Sequence, residues 1–403
     1  MKSRFFLLFA IVFFSLRLSA QTNNYANSQS RVITTAVPFL MVSPDARAGG
    51  LGDGGVATSP DANSMHWNAA KYAFIDQQNG FSISYTPWLK YLVNDINLAY
   101  VSYFHKINDI STMAFSFQDF SLGNISFTDV SGNVVGTYKP NEFAIDGAYS
   151  RKLTDNLSMA VTGRFIYSNL TAGYVQRGIS YKPGVGVAVD VSLYWQKDVN
   201  WFSGMDAQFA WGVDISNIGT KISYDPTKSQ KDFLPTNLRV GPRLTLNLDD
   251  YNKLSFSLDV NKLLVPTPPI YATDSLGNPE VNPDGSYIIA KGMNPNVSVV
   301  SGIVQSFYDA PGGFKEEMQE LNFAFGVEYW YNNIFAVRAG YFYENPNKGN
   351  LQYATLGLGL RYNVLGIDFS YLIPAGSLSQ QNPLKNTLRF TLMFNFGNKN
   401  RGF

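Results

Sequence analysis

The chain has 403 residues, a formal net charge of +1, 15% charged and 15% aromatic side chains, and no cysteine. The even charge balance excludes a general nucleic-acid binder, which needs a concentrated basic surface, and the cysteine count leaves disulfides out of its stability. A charged fraction well below the ~25% of soluble domains, beside 24 Tyr, 30 Phe and 34 Gly, fits a wall with one face in lipid and the other in a polar lumen.

In chain order, residues 1–20 read as a secretory signal peptide. Lys2 and Arg4 precede the apolar run Phe5–Leu16, and Leu18-Ser19-Ala20 supplies a cleavage site before Gln21. The run is too short to cross a bilayer, and no later stretch reaches about 18 apolar residues, so no membrane helix is predicted. Residues 21–79 form an N-terminal periplasmic or hatch segment. Thr22–Ser30 is polar and aperiodic, which predicts a mobile start. The glycine-rich stretch from Ser43 to Gly55 has no following Lys-Ser or Lys-Thr, so it is read as a tightly turning segment whose backbone passes close to a wall, not as a phosphate cradle. Asp61–Ala73 is predicted as a short helix or turn with Asp61 as a cap.

From Gly80 to the end the sequence alternates with period two. Leu356, Leu358, Leu360 and Tyr362 oppose Thr355, Gly357, Gly359 and Arg361; Leu254, Phe256, Leu258 and Val260 oppose Ser255, Ser257, Asp259 and Asn261. Side chains alternate across a strand, so each segment has one apolar and one polar face. The reading gives about fourteen strands, at 81–89, 95–106, 110–122, 141–153, 157–170, 183–197, 203–218, 237–249, 252–265, 319–332, 334–345, 352–364, 365–373 and 385–397. Most meet or exceed the 9–11 residues of a tilted membrane strand, whereas soluble strands stop near 5–6. Connections alternate between short (106–109, 154–156, 198–201, 250–251, 332–333, 364–366) and long (123–140, 171–182, 219–236, 266–318, 346–351, 374–384). Short periplasmic turns, longer outside loops and an even strand count define an antiparallel transmembrane β-barrel over residues 80–403. Aromatic residues near strand ends, among them Tyr85, Trp88, Tyr91, Trp195, Trp201, Tyr329, Trp330 and Tyr331, are expected in the interfacial girdles.

The polar faces carry charges of both signs, including Asp146, Arg164, Asp190, Asp214, Arg239, Arg243, Asp259, Glu328, Arg338, Arg361, Asp368 and Arg389. Buried charges must pair, so these are read as lumen ion pairs that pack the interior and hold Arg47 of the hatch; a selectivity filter is the sharper alternative. Glu316-Glu317 reads as solvated loop. His66 and His105 lie far apart with no cysteine, and no Ser/His/Asp arrangement has supporting context, so no metal, cofactor or catalytic site is expected. The connection from Pro266 to Met318 holds the proline run Pro266, Pro268, Pro269 and the apolar positions Ile303, Val304, Phe307 and Tyr308. Two readings stand for it: a stiff projecting arm that docks a partner, or a lid over the barrel's own mouth.

The ordered set Asp45-Ala46-Arg47-Ala48-Gly49-Gly50-Leu51-Gly52, then Val56-Ala57, Asp61-Ala62 and Asn68-Ala69-Ala70 ahead of the first strand, resembles the hatch of FadL-like outer-membrane barrels. It is most similar to the PorV (LptO) family of the type IX secretion system. Ala69 stands where many relatives of the wider superfamily have proline. The resemblance implies hatch positions at Asp45, Arg47, Gly49, Gly50, Gly52 and Asn68, and location in the outer membrane of a Gram-negative-type envelope. It implies a non-enzymatic barrel that docks on a very large translocon barrel, receives cargo with a C-terminal signal domain, and passes it to a sortase-like attachment complex. The alternative is a FadL-type transporter of hydrophobic small molecules, which a strand break at Pro242 would favour.

Overall fold

The computed structural model describes residues 31–89, 95–128, 131–170, 175–176, 179–180, 182–202, 205–225, 227, 231–276, 278–376 and 384–398. The signal peptide, the polar start at 22–30 and Tyr91 of the expected girdle lie outside the described residues.

Fourteen antiparallel strands close into a barrel. They are β1 (Gln77–Pro87), β2 (Asn97–Asn108), β3 (Ser111–Ser121), β4 (Asn141–Lys152), β5 (Leu157–Asn169), β6 (Gly184–Phe202), β7 (Met205–Gly219), β8 (Asn237–Asn247), β9 (Asn252–Leu263), β10 (Leu321–Tyr331), β11 (Phe335–Tyr343), β12 (Gln352–Tyr362), β13 (Leu365–Pro374) and β14 (Leu388–Asn398). Each pairs with its neighbour in sequence, and β1 closes on β14 from Gln77↔Asn398 to Tyr85↔Phe390. Closure leaves no strand edge in hydrocarbon, where each unsatisfied backbone group costs several kcal/mol. No helix among the described residues is long and apolar enough to cross a membrane; the strands cross.

The period-two pattern sorts side chains as the alternation predicts. Ile83, Val101, Phe115, Phe117, Leu356 and Leu358 point outward, whereas Ser82, Ser102, Ser116, Thr355 and Arg338 are buried within. Trp330 departs from the girdle reading: it sits between outward Tyr329 and Tyr331, so strand parity turns it into the lumen, where the guanidiniums of Arg338 and Arg361 lie 5.4 and 5.3 Å from its ring. Pro242 does not break the wall: it pairs with Trp211, and β8–β9 keep one register on either side, Val240↔Val260 and Arg243↔Ser257. A shift does occur between β6 and β7, where Asn217 adopts φ 61°. The Asp190 carboxylate accepts the Asn217 amide there at 2.7 Å.

Residues 31–76 thread the lumen from end to end. At the long-loop mouth Arg31 N donates to Asn347 O and Ala36 N to Phe233 O. At the short-turn end the segment leaves past Ile75, whose carbonyl accepts Lys106 Nζ at 2.9 Å. Short helices α1 (Ala46–Gly49) and α2 (Ser64–Trp67), and a 3-10 turn at Ala69–Phe74, punctuate it. Its backbone rests on glycines of the wall. A Cβ added at Gly340 would collide with Gly52 N, one at Gly212 with Val56 O, and one at Gly357 would stand 3.0 Å from Gly50 Cα. Glycine is required at these wall positions for the close approach itself.

Gly340→Val is therefore expected to displace the segment without opening the barrel. Heat-modifiable gel migration should persist while trypsin gains access to Arg47 and Lys71. Gly163→Val, where an added Cβ meets nothing within 4 Å, is the control. A Gly340→Val protein as protease-resistant as the native chain would refute the close-contact argument.

Candidate functional site: the plugged lumen and the long outer loop

The segment is held by charge as well as shape. Arg47 is buried and uses all five of its N–H donors. Nε and Nη2 form a fork on Glu328 at 2.9 and 2.8 Å, Nη1 reaches Asp61 at 2.9 Å and Ser59 O at 3.0 Å, and Nη2 also donates to Ser59 Oγ at 2.6 Å. Glu328 is shared with Arg338 (2.8 Å), which continues to Asp368 (2.8 Å), and Asp368 pairs with Arg361 (2.7 Å). A continuous ionic chain thus runs from the segment into four neighbouring wall strands. A separate pair joins Asp53 of the segment to Arg389 of β14 at 3.0 Å.

The remaining expected hatch positions take local roles. Asp45 caps α1 by accepting the Ala48 amide at 2.9 Å, and its second oxygen accepts Trp67 Nε1 at 2.7 Å. Asn68 Oδ1 accepts the Ala70 amide, while its Nδ2 donates to Val56 O and to Leu193 O of the wall. Gly49, Gly50 and Gly52 pack against Arg389 and Ser370, Gly357, and the Tyr341 backbone respectively. Asp61, the expected helix cap, accepts from Asn63 N and Ser64 Oγ and also holds Arg47. Lys71 donates to Gly55 O at 2.8 Å and Thr58 Oγ1 at 2.9 Å. The His66 Nε2 atom is buried, and His105 lies apart from it, within hydrogen-bond reach of Asn79.

The long connection after β9 is split. Pro266 and Pro269 are buried at its root, with Pro266 and Phe233 facing Gly302, so the proline run packs and does not project. A hairpin spanning Ile270–Tyr271 and Ile289–Lys291 forms the protruding arm. Helices α3 (Val299–Gln305) and α4 (Phe314–Gln319) follow, and their polarity is inverted. Gln305, Glu316 and Glu317 are buried, whereas Val300, Val304, Phe307, Tyr308, Phe314 and Met318 are exposed, Phe314 to 80%; Ile303 is half-buried. An apolar groove of about 270 Å³ lies between Phe307, Phe314 and Met318 of the loop and the outward Leu238, Val240 and Val260 of the wall.

Beneath that surface lies an ion network that the sequence reading missed. Glu317 and Glu320 pair with Lys262 at 3.1 and 2.7 Å. Glu316 and Glu320 pair with Lys348 at 2.7 and 2.8 Å, and Glu316 with Arg31 at 2.6 Å. Glu316-Glu317 is thus not solvated loop but a clamp joining the loop to the wall, to the 344–351 connection and to the start of the lumen segment. Its partners are distant in sequence, and only the acidic bias of a helix with apolar Phe314 and Met318 signalled it. Burial alone would raise Glu316, but hydrogen bonds from Arg31 and Lys348 outweigh that and bring it from 4.5 down to about 2.

Together these features define a plugged outer-membrane β-barrel that carries a structured, apolar-faced outer loop. A family model described as type IX secretion system protein PorV matches residues 25–270, and the chain belongs to that family, as an outer-membrane component of type IX secretion. No curated protein matches the chain by sequence. Among solved structures it is similar to the Ralstonia pickettii toluene transporter TbuX, at 10% identity over 89% of this chain and 100% of that one, with a TM-score of 0.46. The P. putida toluene transporter TodX is similar at 10% identity over 88% and 99%, TM-score 0.47. A Pseudomonas aeruginosa FadL homologue is similar at 12% identity over 91% and 100%, TM-score 0.43.

Glu328→Gln leaves the Arg47 and Arg338 guanidiniums without a shared carboxylate and is expected to cost about 3–5 kcal/mol, read as a lower urea midpoint of the barrel in detergent; an unchanged midpoint would mean that the chain of pairs contributes nothing. For Glu316 the depressed folded value means that its stabilisation is present above 4.5 and is lost as pH falls toward about 2. Pepsin cleavage within residues 264–320 should therefore rise over that window, with the barrel intact. In Glu316→Gln it should be high and nearly flat with pH. A cleavage rate in the native chain that does not change between pH 4.5 and 2 contradicts the clamp.

Proposed function

We propose that the barrel acts by protein–protein contact as a carrier of secreted cargo, and not as a conduit. In this reading residues 1–20 are a cleaved signal peptide, residues 21–79 comprise the hatch, and 80–403 form the barrel. The protein docks on the large type IX translocon barrel, receives cargo bearing a C-terminal signal domain, and delivers it to the sortase-like attachment complex. Membership of the PorV family supports the secretion role.

The observation that carries the contact mode is the inverted polarity of α3 and α4. Exposed Val300, Val304, Phe307, Phe314 and Met318 cover buried carboxylates, and apolar patches of this kind mark interaction sites. The glutamate clamp holds that face rigid, which reduces the ordering cost of docking. Of the expected partner-loop residues, Val304, Phe307 and Tyr308 form the contact face with Ile303 at its edge, and Pro266, Pro268 and Pro269 stiffen its root. A lumen filled by residues 31–76 and their ion pairs favours this reading over transport of hydrophobic small molecules, as does the unbroken register at Pro242.

Affinity purification from detergent extracts, with mass spectrometry of what accompanies the barrel, tests it. The native chain should bring a giant barrel and signal-bearing cargo. Deleting 270–295, or introducing Val304→Asp with Phe314→Asp, should leave a heat-modifiable barrel that recovers at least about tenfold less of them. Normal secretion and recovery by both variants would remove the loop from the docking role; bound lipid without partners on the native chain would favour the transporter.

A further inference from the structure

The short-turn end of the lumen opens into a cavity of about 950 Å³ that the secretion reading does not use. Its wall is polar, with the amides of Gln196, Gln208, Asn247 and Asn333 among the lining groups. Arg243, on the inward face of β8, borders it and is only 5% exposed.

The acceptors around this guanidinium are all neutral. Nη1 donates to Thr245 Oγ1 at 2.9 Å; Nη2 donates to Gln208 Oε1 at 2.7 Å and to Tyr194 Oη at 3.3 Å. Nε is buried with no acceptor. Four other buried arginines of the lumen each face a carboxylate: Arg47, Arg164 and Arg338 at 2.8, 2.7 and 2.8 Å, and Arg389 at 3.0 Å. A buried cation without a counter-charge is costly; Arg243 shares this lack with Arg239, whose guanidinium donates to Asn261 and to the His66 and Trp67 carbonyls, but of the two only Arg243 borders the open cavity.

A second cation lies nearer the rim. Lys253 borders the same cavity, two residues along β9 from Ser255, and the pairings Thr245↔Ser255 and Asn247↔Lys253 place it between Arg243 and the rim. Among the described residues neither Lys253 nor Arg243 has a carboxylate partner. The Thr245 and Ser255 hydroxyls, 2.8 Å apart, lie between the two cations. The carboxylates around the cavity are otherwise engaged or solvated: Glu328 and Asp61 hold Arg47, while Asp76 and Asp198 are exposed.

We propose that Arg243, Lys253, Thr245 and Ser255 form an oxyanion site facing the periplasm, which takes the carboxylate or phosphate group of a polar solute. A guanidinium and an ammonium bracketing a hydroxyl pair, which keeps one O–H free to donate, supply the charge-assisted hydrogen bonds that such a group requires. The amide-lined cavity has room for the polar body that bears it and offers little to an acyl chain. The site stands independently of the cargo role, because it lies at the opposite end of the barrel from the outer loop.

Calorimetric titration of the full chain in detergent tests this with two probes, inorganic phosphate and acetyl-Gly-Gly bearing a free carboxylate, with acetyl-Gly-Gly amide as the uncharged comparison. At least one anion should bind, and the amide at least about tenfold more weakly. Arg243→Gln should weaken binding about tenfold or more, Lys253→Gln several-fold, and Arg243→Lys should restore part of it. The tighter of the two anions identifies the source as carboxylate or phosphate. Absence of binding by both anions, or unchanged binding in Arg243→Gln and Lys253→Gln, overturns the site. Lys253 lies near the rim, so its variant keeps the test decisive even if Arg243→Gln does not fold.

Discussion

The structure turns on Glu328, a carboxylate on the inner wall gripped by one guanidinium from the lumen segment and one from the next strand. A closed barrel in lipid has no solvent on its outer face, and a segment packed within leaves little on the inner one. Charge inside such a cylinder is tolerable only when opposite charge or several hydrogen-bond partners meet it directly. That requirement explains why Arg47 spends every donor, why Arg338 sits between Glu328 and Asp368, and why Asp259 accepts two successive backbone amides from Gly55 and Val56. Shape enforces the same fit: wall glycines bring the segment's backbone into contact, so the ion pairs close at short range instead of spanning a gap.

Much of the barrel was legible because it is written in a repeat. Period-two alternation fixes which face of a strand meets lipid whatever its partners are, and loop length alternates because one side of the membrane receives short turns. Strand number, parity and the lumen position of the mixed charges all follow from these local rules. Arg47's need for a lumen carboxylate was legible too, since a lone cation in a glycine-rich segment must be neutralised.

What escaped was whatever depends on partners far apart in the chain. Glu316 and Glu317 look like solvated loop until Arg31, Lys262 and Lys348 are brought beside them by closure of the barrel. Trp330 looks like a girdle residue by its neighbours Tyr329 and Tyr331, and only its exact parity turns it inward. The proline run looks like a projecting spacer, but Pro266 is covered by α3. Gly212, Gly340 and Gly357 alternate like any small inward residue, and nothing local marks them as seats for the segment.

The two ends of the barrel then differ in a way that bears on how it works. At the outer end carboxylates face inward and apolar side chains face outward, an arrangement stable only where the outward face meets something other than water. At the inner end a polar cavity holds cations without carboxylates, stable only where water or an anion reaches them. Between the ends lies a segment whose removal would strip Glu328 of Arg47, Arg389 of Asp53 and Asp259 of two amides in one step. Such a plug does not slide: displacing it would expose several buried charges together, each left uncompensated by several kcal/mol. A barrel built in this way has its two mouths as working surfaces and its middle as a fixed strut, and the strut, pinned through Arg31 to the outer clamp, mechanically joins one mouth to the other.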